Sequence, residues 1–310
     1  MSEQGLSNIS WIEQAQATAD AIRRRGFDYV MRNNGGYLSQ ICSAAEIFAF
    51  LYQRAMTLGP SAAPMIPAAF AGPPGRDNTA YVSGGLYNGA PAPDRDRFIF
   101  SPAHYALVLY LALIEDGRMA AAGLEDFNRD GGTVELIGAE HSPGIETTTG
   151  SLAQALSQAG GIALGRRLKG ESGRLWVMMS DGEFQEGQTW EAIQALSFHG
   201  LDNVSVIVDV NGQQCDGPMD RVMTIEPLAA RIRAFGGHAV DVDGHDLAAM
   251  DRAAHEAHPG KPLFILARTD PTRGIPLLRE RGAALHYLRF GSAAEKERYQ
   301  AACDQMKQEV

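Results

Sequence analysis

The chain has 310 residues, 45% of them hydrophobic and 21% charged, with a formal net charge of −10. That composition suits a folded α/β protein of one large or two modest domains; its acidity excludes an extended basic groove for nucleic acid, while a local basic pocket for phosphates stays open. No apolar run approaches the roughly 20 residues a membrane span needs, the first twelve residues lack the basic-then-apolar pattern of a secretory signal, and Cys42, Cys215 and Cys303 are too scattered for a disulfide framework or a zinc site, so a cytoplasmic protein without membrane or nucleic-acid partners is expected.

In chain order, the spacing of Ile12, Ala15, Ala19, Ile22 and Phe27 predicts a helix over 11–31, broken by Gly35-Gly36. A second helix is predicted over 43–52, with Ser43 as its N-cap and Glu46 completing a capping box. Residues 58–96 are rich in Pro, Gly, Ala and Asn and read as a long irregular insertion, either functional or a mobile surface loop. A short strand over 97–101 and helices over 104–115 and 153–167 follow. Then come a strand at 174–180, a helix at 189–199 and a strand at 204–210. The tail reads as helix 227–235, strand 238–242, helix 247–257, strand 262–268 and a charged, partly frayed helix over 292–308. Strands alternating with helices predict an α/β fold, a mainly parallel sheet with helices on both faces, as one domain over 1–310.

Two short blocks carry the chemistry. One is Ser180-Asp181-Gly182-Glu183-Phe184-Gln185-Glu186-Gly187 and the other is Asp209-Val210-Asn211-Gly212. Asp181 and Asn211 each follow an apolar strand, and their separation is about one strand–helix–strand unit. A right-handed crossover makes those strands parallel and opens both ends on the same sheet edge. A carboxylate and a carboxamide oxygen converging there form a hard-oxygen pair suited to Mg²⁺, which keeps phosphate oxygens among its ligands. Gly182 leaves the backbone open to a phosphate, and the N-terminus of the next helix adds partial positive charge. Asp-Gly or Asn-Gly alone is an ordinary turn. The pair at this spacing is far more specific.

These residues, with Glu191-Ala192, Leu201-Asp202-Asn203 and Gln213-Gln214-Cys215-Asp216-Gly217, resemble the thiamine diphosphate motif of transketolases, and most of all the N-terminal subunit of a split transketolase. Further similar segments are Asp94-Arg95-Asp96-Arg97-Phe98 leading to His104, the run Pro143-Gly144-Ile145-Glu146-Thr147-Thr148-Thr149-Gly150-Ser151-Leu152, Val242-Asp243-Gly244-His245-Asp246, and Gly260-Lys261-Pro262. The resemblance implies Asp181, Asn211 and the main-chain carbonyl of Gln213 as Mg²⁺ ligands. It implies Gly182, Glu183, Gly150, Ser151 and Leu152 at the cofactor, His104 beside it and His286 facing cofactor and substrate. Glu186 matches a residue of an acidic network between paired active sites, and His141 lies near a family histidine with shortened local spacing. Read without the family, His104 is equally a core or capping histidine, and His286 packs equally well against Tyr287, Leu288 and Phe290.

The sequence departs from the family pattern at three places. Ser180 stands where a Gly usually precedes the metal Asp, Ala153 and Ala155 replace two glycines, and Gly36-Tyr37-Leu38-Ser39 replaces the Gly-His-Pro-Gly of sugar-handling transketolases. Tyr37 can donate a hydrogen bond, but with an ordinary pKa of about 10 it is a poor proton shuttle near neutrality. The turn Gly35-Gly36-Tyr37-Leu38 is similar to that of homodimeric pyruvate dehydrogenase E1 components. The expected function is transfer of a two-carbon ketol unit to an aldehyde-type acceptor with thiamine diphosphate and Mg²⁺. A pyrimidine-binding and a C-terminal domain are expected on a second chain, in an α₂β₂ assembly. The alternatives are a 2-oxo acid decarboxylating or E1-type enzyme and a degenerate, non-catalytic partner subunit.

Overall fold

Ser10 opens the first helix with a reciprocal cap: its hydroxyl accepts from the Glu13 amide, and the Glu13 carboxylate accepts from the Ser10 N–H at 2.8 Å. The computed structural model describes residues 10 to 308; the first nine residues, where most of the segment tested for a signal falls, lie outside the described residues. Helix α1 (Trp11–Arg32) buries Ala15, Ala19, Ile22 and Phe27 of the predicted stripe, while Ile12, in its first turn, is exposed. Gly35 and Gly36 then turn the chain with φ of 144° and 153°.

Helix α2 (Leu38–Phe50) corrects the expected start. It begins five residues before Ser43 and is buried on every side, continuing into one wider turn, Leu51–Ala55. Ser43 and Glu46 are therefore not a capping box. Both are fully buried in mid-helix, with Ser43 donating to Asp209 and Glu46 paired with Arg23 and His245. A helix buried all round has no polar face to mark its ends, so the local Ser-x-x-Glu signal misled.

The insertion between α2 and β1 (Arg97–Phe100) is irregular as predicted, apart from a short 3₁₀ turn at Gly84–Asn88. It is nonetheless fastened. Asp96 accepts from the amides of Thr57 and Arg174, and Arg118 donates to the carbonyls of Gly59 and Tyr87. After β1 the chain runs through α3 (Ala106–Glu115), α4 (Gln154–Leu168), β2 (Leu175–Ser180), α5 (Gly187–Phe198) and β3 (Val204–Val210). A small hairpin of β4 (Gln213–Gln214) and β5 (Gly217–Pro218) follows, with α6 (Met219–Val222), which the sequence did not announce. Then come α7 (Leu228–Ala234), β6 (His238–Asp243), α8 (Leu247–Ala254), β7 (Leu263–Arg268) and α9 (Ala293–Gln308). Helix α9 is regular to its end, where Tyr299 and Cys303 are buried and Tyr299 meets the Phe27 ring of α1 edge-on.

Five strands form one parallel sheet in the order β1-β2-β3-β7-β6. Every residue of β2 and β3 is buried, as a parallel strand covered on both faces requires. Alternate side chains divide into two cores. Phe98, Trp176, Met178, Ile207 and Ile265 face the layer of α1, α2, α3, α8 and α9, while Ile99, Val177, Val206, Val208 and Leu266 face α4, α5 and α7. Burying each such side chain stabilises the fold by roughly 1.5–3 kcal/mol, which makes the sheet a rigid platform for whatever its ends carry. Among the described residues no helix is long and apolar enough to cross a membrane.

Candidate functional site

The pairing Ser180↔Asp209 places the ends of β2 and β3 side by side at one edge of the sheet. Asp181 opens a 3₁₀ turn, Asp181–Gln185, and its carboxylate accepts from the Gly212 amide at 2.8 Å. That bond holds it against the Asn211–Gly212 turn, where Gly212 has φ of 68°. The Asn211 carboxamide is oriented on both sides. Its Nδ2 donates to the Tyr105 hydroxyl at 2.8 Å and to Asp209 Oδ2 at 3.0 Å, and its Oδ1 accepts from the Gln213 amide at 2.9 Å. Asp181 thus lies against the turn that carries Asn211, as the spacing requires, and Gln213 follows in the same turn.

Several features of this edge fit a divalent cation with a diphosphate. Burial and the nearby charge of Asp209 push the Asp181 carboxyl up to about 8, an unfavourable interaction that a cation beside it would cancel. Gln213 Oε1 is buried without a hydrogen-bond partner. A Cβ built on Gly182 would stand in open space, so the backbone there is accessible. Among the described residues no three His, Cys, Asp or Glu side chains are grouped to hold a metal. A cation here would thus depend on one carboxylate, amide-type oxygens and the oxygens of its ligand, the set that suits Mg²⁺.

The loop of Gly150, Ser151 and Leu152 is exposed beside this edge. Glu183 joins the loop to the Asp181 turn, but not as the resemblance implies. Its carboxylate is fully buried and points inward, bonded to the Ala153 amide at 2.9 Å, to the Ser180 amide at 2.8 Å and to the hydroxyls of Ser101 and Ser180. Its side chain braces the loop from within. Burial outweighs these donors and raises its pKa. Ala153 sits in the left-handed region, with φ of 71°, at the point of attachment.

A second group lies next to the first. The rings of Tyr37, His104 and His286 form a triangle, with centroids 5.6 Å, 5.6 Å and 5.2 Å apart. Gly36 and Leu288 exchange two backbone hydrogen bonds, at 3.1 Å and 2.8 Å, which fasten the His286 loop to the start of α2. Gln40 Nε2 lies 3.1 Å from Nδ1 of His286. Burial, with the like charge of His286, drives His104 down to about 3, and burial lowers His286 as well, so both rings are neutral near pH 7. Burial raises Tyr37, whose hydroxyl keeps its proton. Tyr105 links the two groups, since its ring lies 4.8 Å from His104 and its hydroxyl donates to Asp209 at 2.7 Å.

Two sequence candidates lie apart from this cluster. Glu186 is exposed at the start of α5, and its side chain has no partner among the described residues. His141 pairs with Glu135 at 3.0 Å and leans on Phe70, away from Tyr37 and Asp181. Sequence reasoning missed Asp209, Tyr105, Ser43 and Gln40 as parts of the site. Asp209 carried a signal, a charged residue in the otherwise apolar strand Val204–Val210.

Fold and site together define an open, parallel-sheet α/β protein with a polar ligand crevice where its strands end. The family model "Transketolase, thiamine diphosphate binding domain" matches residues 88–297. The chain belongs to the transketolase family and contains its thiamine diphosphate-binding domain. It is 34% identical to the transketolase family protein y4mO of Sinorhizobium fredii, over 91% of each chain. It is 30% identical to the 6-deoxy-6-sulfo-D-fructose transketolase subunit SqwG of a Clostridium species, over 84% of this chain and 86% of that one. Human transketolase is also 30% identical, but the match covers 85% of this chain and 38% of that protein. The chain thus spans about two fifths of the full-length transketolases it matches. A Pichia stipitis transketolase structure shares the fold with a TM-score of 0.68 at 20% identity, over 96% of this chain and 45% of that chain. As members of this family, such proteins are transferases, and the matched domain is one that binds thiamine diphosphate.

Proposed function

We propose that this chain, as a single diphosphate-binding domain, is one subunit of a split transketolase-like enzyme that transfers a two-carbon ketol unit to an aldehyde-type acceptor. Its partner would be a second chain bearing the pyrimidine-binding and C-terminal domains, in an α₂β₂ assembly of the cytoplasm. The observation that carries the reading is the bond from the Gly212 amide, next to Asn211, to the Asp181 carboxylate at the paired ends of neighbouring parallel strands. The split arrangement draws support from SqwG, which carries the word subunit in its name and is matched over most of its length.

Asp181, Asn211 and the Gln213 carbonyl would hold Mg²⁺, with the open backbone at Gly182 beside the diphosphate and Gly150, Ser151 and Leu152 along the cofactor. When bound, thiamine diphosphate supplies a nucleophilic carbon that adds to a carbonyl. The chain's own share is binding, orientation and proton placement. His104 and His286 are neutral and offer hydrogen bonds without charge, while Tyr37 donates from a hydroxyl that stays protonated. Glu186, exposed at the start of α5, would meet another subunit rather than substrate. Tyr37 favours one second reading, a 2-oxo acid E1-type reaction, because a tyrosine in this turn replaces the histidine of sugar-handling enzymes.

The test is a product assay with thiamine diphosphate and Mg²⁺, supplying either a ketose phosphate or pyruvate, with and without the partner chain. Ketol transfer only with the partner supports the proposal. Acyl products from pyruvate would favour the second reading, and robust ketol transfer by this chain alone would overturn the split arrangement. Calorimetry with thiamine diphosphate and Mg²⁺ in the partner's presence tests the remaining alternative, since absence of heat would mark a non-catalytic subunit.

A further inference from the structure

Asp209 is fully buried near the end of the central strand β3, where an unpaired carboxylate costs several kcal/mol. No cation offsets it. Four neutral donors surround it instead: the hydroxyls of Ser43, at 2.6 Å, and Tyr105, at 2.7 Å, the hydroxyl of Thr269, and Nδ2 of Asn211, at 3.0 Å. These donors come from α2, the start of α3, the turn after β7 and the turn after β3. Tyr105 also accepts from Asn211 Nδ2, so the amide nitrogen lies between two acceptors that themselves touch each other.

A carboxamide has two nearly isosteric ends, and nothing in its shape tells a cation which end is oxygen. Two acceptors on the nitrogen side, with the Gln213 amide donating to Oδ1 on the other, settle the matter. We propose that Asp209 is a positioning residue: with Tyr105 it holds the nitrogen side of the Asn211 carboxamide, so that the remaining lone pair of Oδ1 serves a divalent cation held with Asp181. The inference rests on the cofactor reading above, and it explains why a charged residue occupies an otherwise apolar strand. Partners behind a metal ligand typically contribute 10–100-fold to metal affinity by fixing that ligand's orientation.

The experiment titrates Mn²⁺ into the chain assembled with its partner chain, at a fixed concentration of thiamine diphosphate, following the free-ion electron paramagnetic resonance signal. Near-ultraviolet circular dichroism and melting without metal report folding. Asp209→Ala removes the acceptor that faces the Asn211 nitrogen and should raise the Mn²⁺ half-saturation about 10–100-fold. Tyr105→Phe keeps the ring packing, removes one of the two anchors and should raise half-saturation several-fold. A purely structural role would lower the melting temperature and leave half-saturation in place. If both variants fold and bind Mn²⁺ within twofold of the wild type, the inference fails and the cofactor reading survives. If Asp209→Ala does not fold, Tyr105→Phe decides alone by the same twofold criterion. Absence of Mn²⁺ binding by the wild type would overturn both.

Discussion

Asp181 carries the greatest chemical demand in the molecule. It is a buried carboxyl with a second carboxyl, Asp209, close enough to raise its pKa, an arrangement that is unfavourable unless a cation shares the site. Asp181→Asn keeps the shape and removes the charge, so cofactor binding in the presence of Mg²⁺ should weaken at least about 100-fold by calorimetry, since a hard cation prefers an anionic oxygen; affinity within threefold of the wild type would contradict the assignment. Ala153 makes the opposite demand. A left-handed alanine costs roughly 1–2 kcal/mol relative to ordinary backbone, and Glu183 holds it there through a 2.9 Å hydrogen bond. Ala153→Gly should therefore raise stability by about 0.5–1 kcal/mol after the extra freedom of an unfolded glycine is allowed for, seen as a higher urea midpoint with an unchanged slope. The replacement of a family glycine by Ala153 was visible in the sequence. Its left-handed geometry was not, because backbone angles at a loop–helix junction depend on what anchors the loop.

At the scale of elements, the critical joint is between the start of α2 and the loop that carries His286. Gly35 makes the close approach possible, since a Cβ there would lie 2.6 Å from the Leu288 carbonyl oxygen and φ is 144°. Gly35→Ala should cost about 2 kcal/mol of stability through clash and backbone strain. It should also loosen the Gly36–Leu288 bridge, which faster hydrogen exchange at the Leu288 amide would report; exchange unchanged from the wild type would show that the bridge does not depend on the glycine. The elements themselves were largely legible. Apolar strands at 174–180 and 204–210 stand out because both of their faces are buried, and the predicted alternation reproduced the parallel sheet. The start of α2 was missed for the same physical reason in reverse, because a helix buried all round shows no periodic contrast. The hairpin of β4 and β5 and the short α6 were too brief to show any pattern.

At the scale of the whole molecule, one buried ionic cluster ties three distant segments together. Glu46 in α2 pairs with Arg23 in α1, and His245, before α8, contacts Glu46 at 3.0 Å while accepting from the Asp270 amide at 2.8 Å. Burial alone would raise the Glu46 pKa, but the His245 hydrogen bond and the Arg23 charge outweigh it and hold the carboxyl at about 2, below its ordinary 4.5. A depressed carboxyl contributes stability that is fully present above pH 4.5 and is lost as pH falls towards 2, here about 3 kcal/mol. Urea unfolding between pH 6 and pH 3 should show that acid loss in the wild type and a flatter profile in Glu46→Gln, which starts from lower stability at pH 6. An equally steep acid limb in Glu46→Gln would place the acid sensitivity elsewhere. His104 acts in the same direction over a different window, because a ring held at about 3 disfavours folding progressively as pH drops below its ordinary 6.5.

The sequence by itself determined the strand–helix alternation, the placing of Asp181 and Asn211 at neighbouring strand ends, and the family, because each is written in spacings of a few residues to one supersecondary unit. Only the tertiary structure decided that Ser43 and Asp209, 166 residues apart, share a proton, that Glu183 turns inward, and that Tyr37, His104 and His286 meet. Such contacts join segments distant in the chain, and their partners are chosen by how helices pack on the sheet, which no local pattern records.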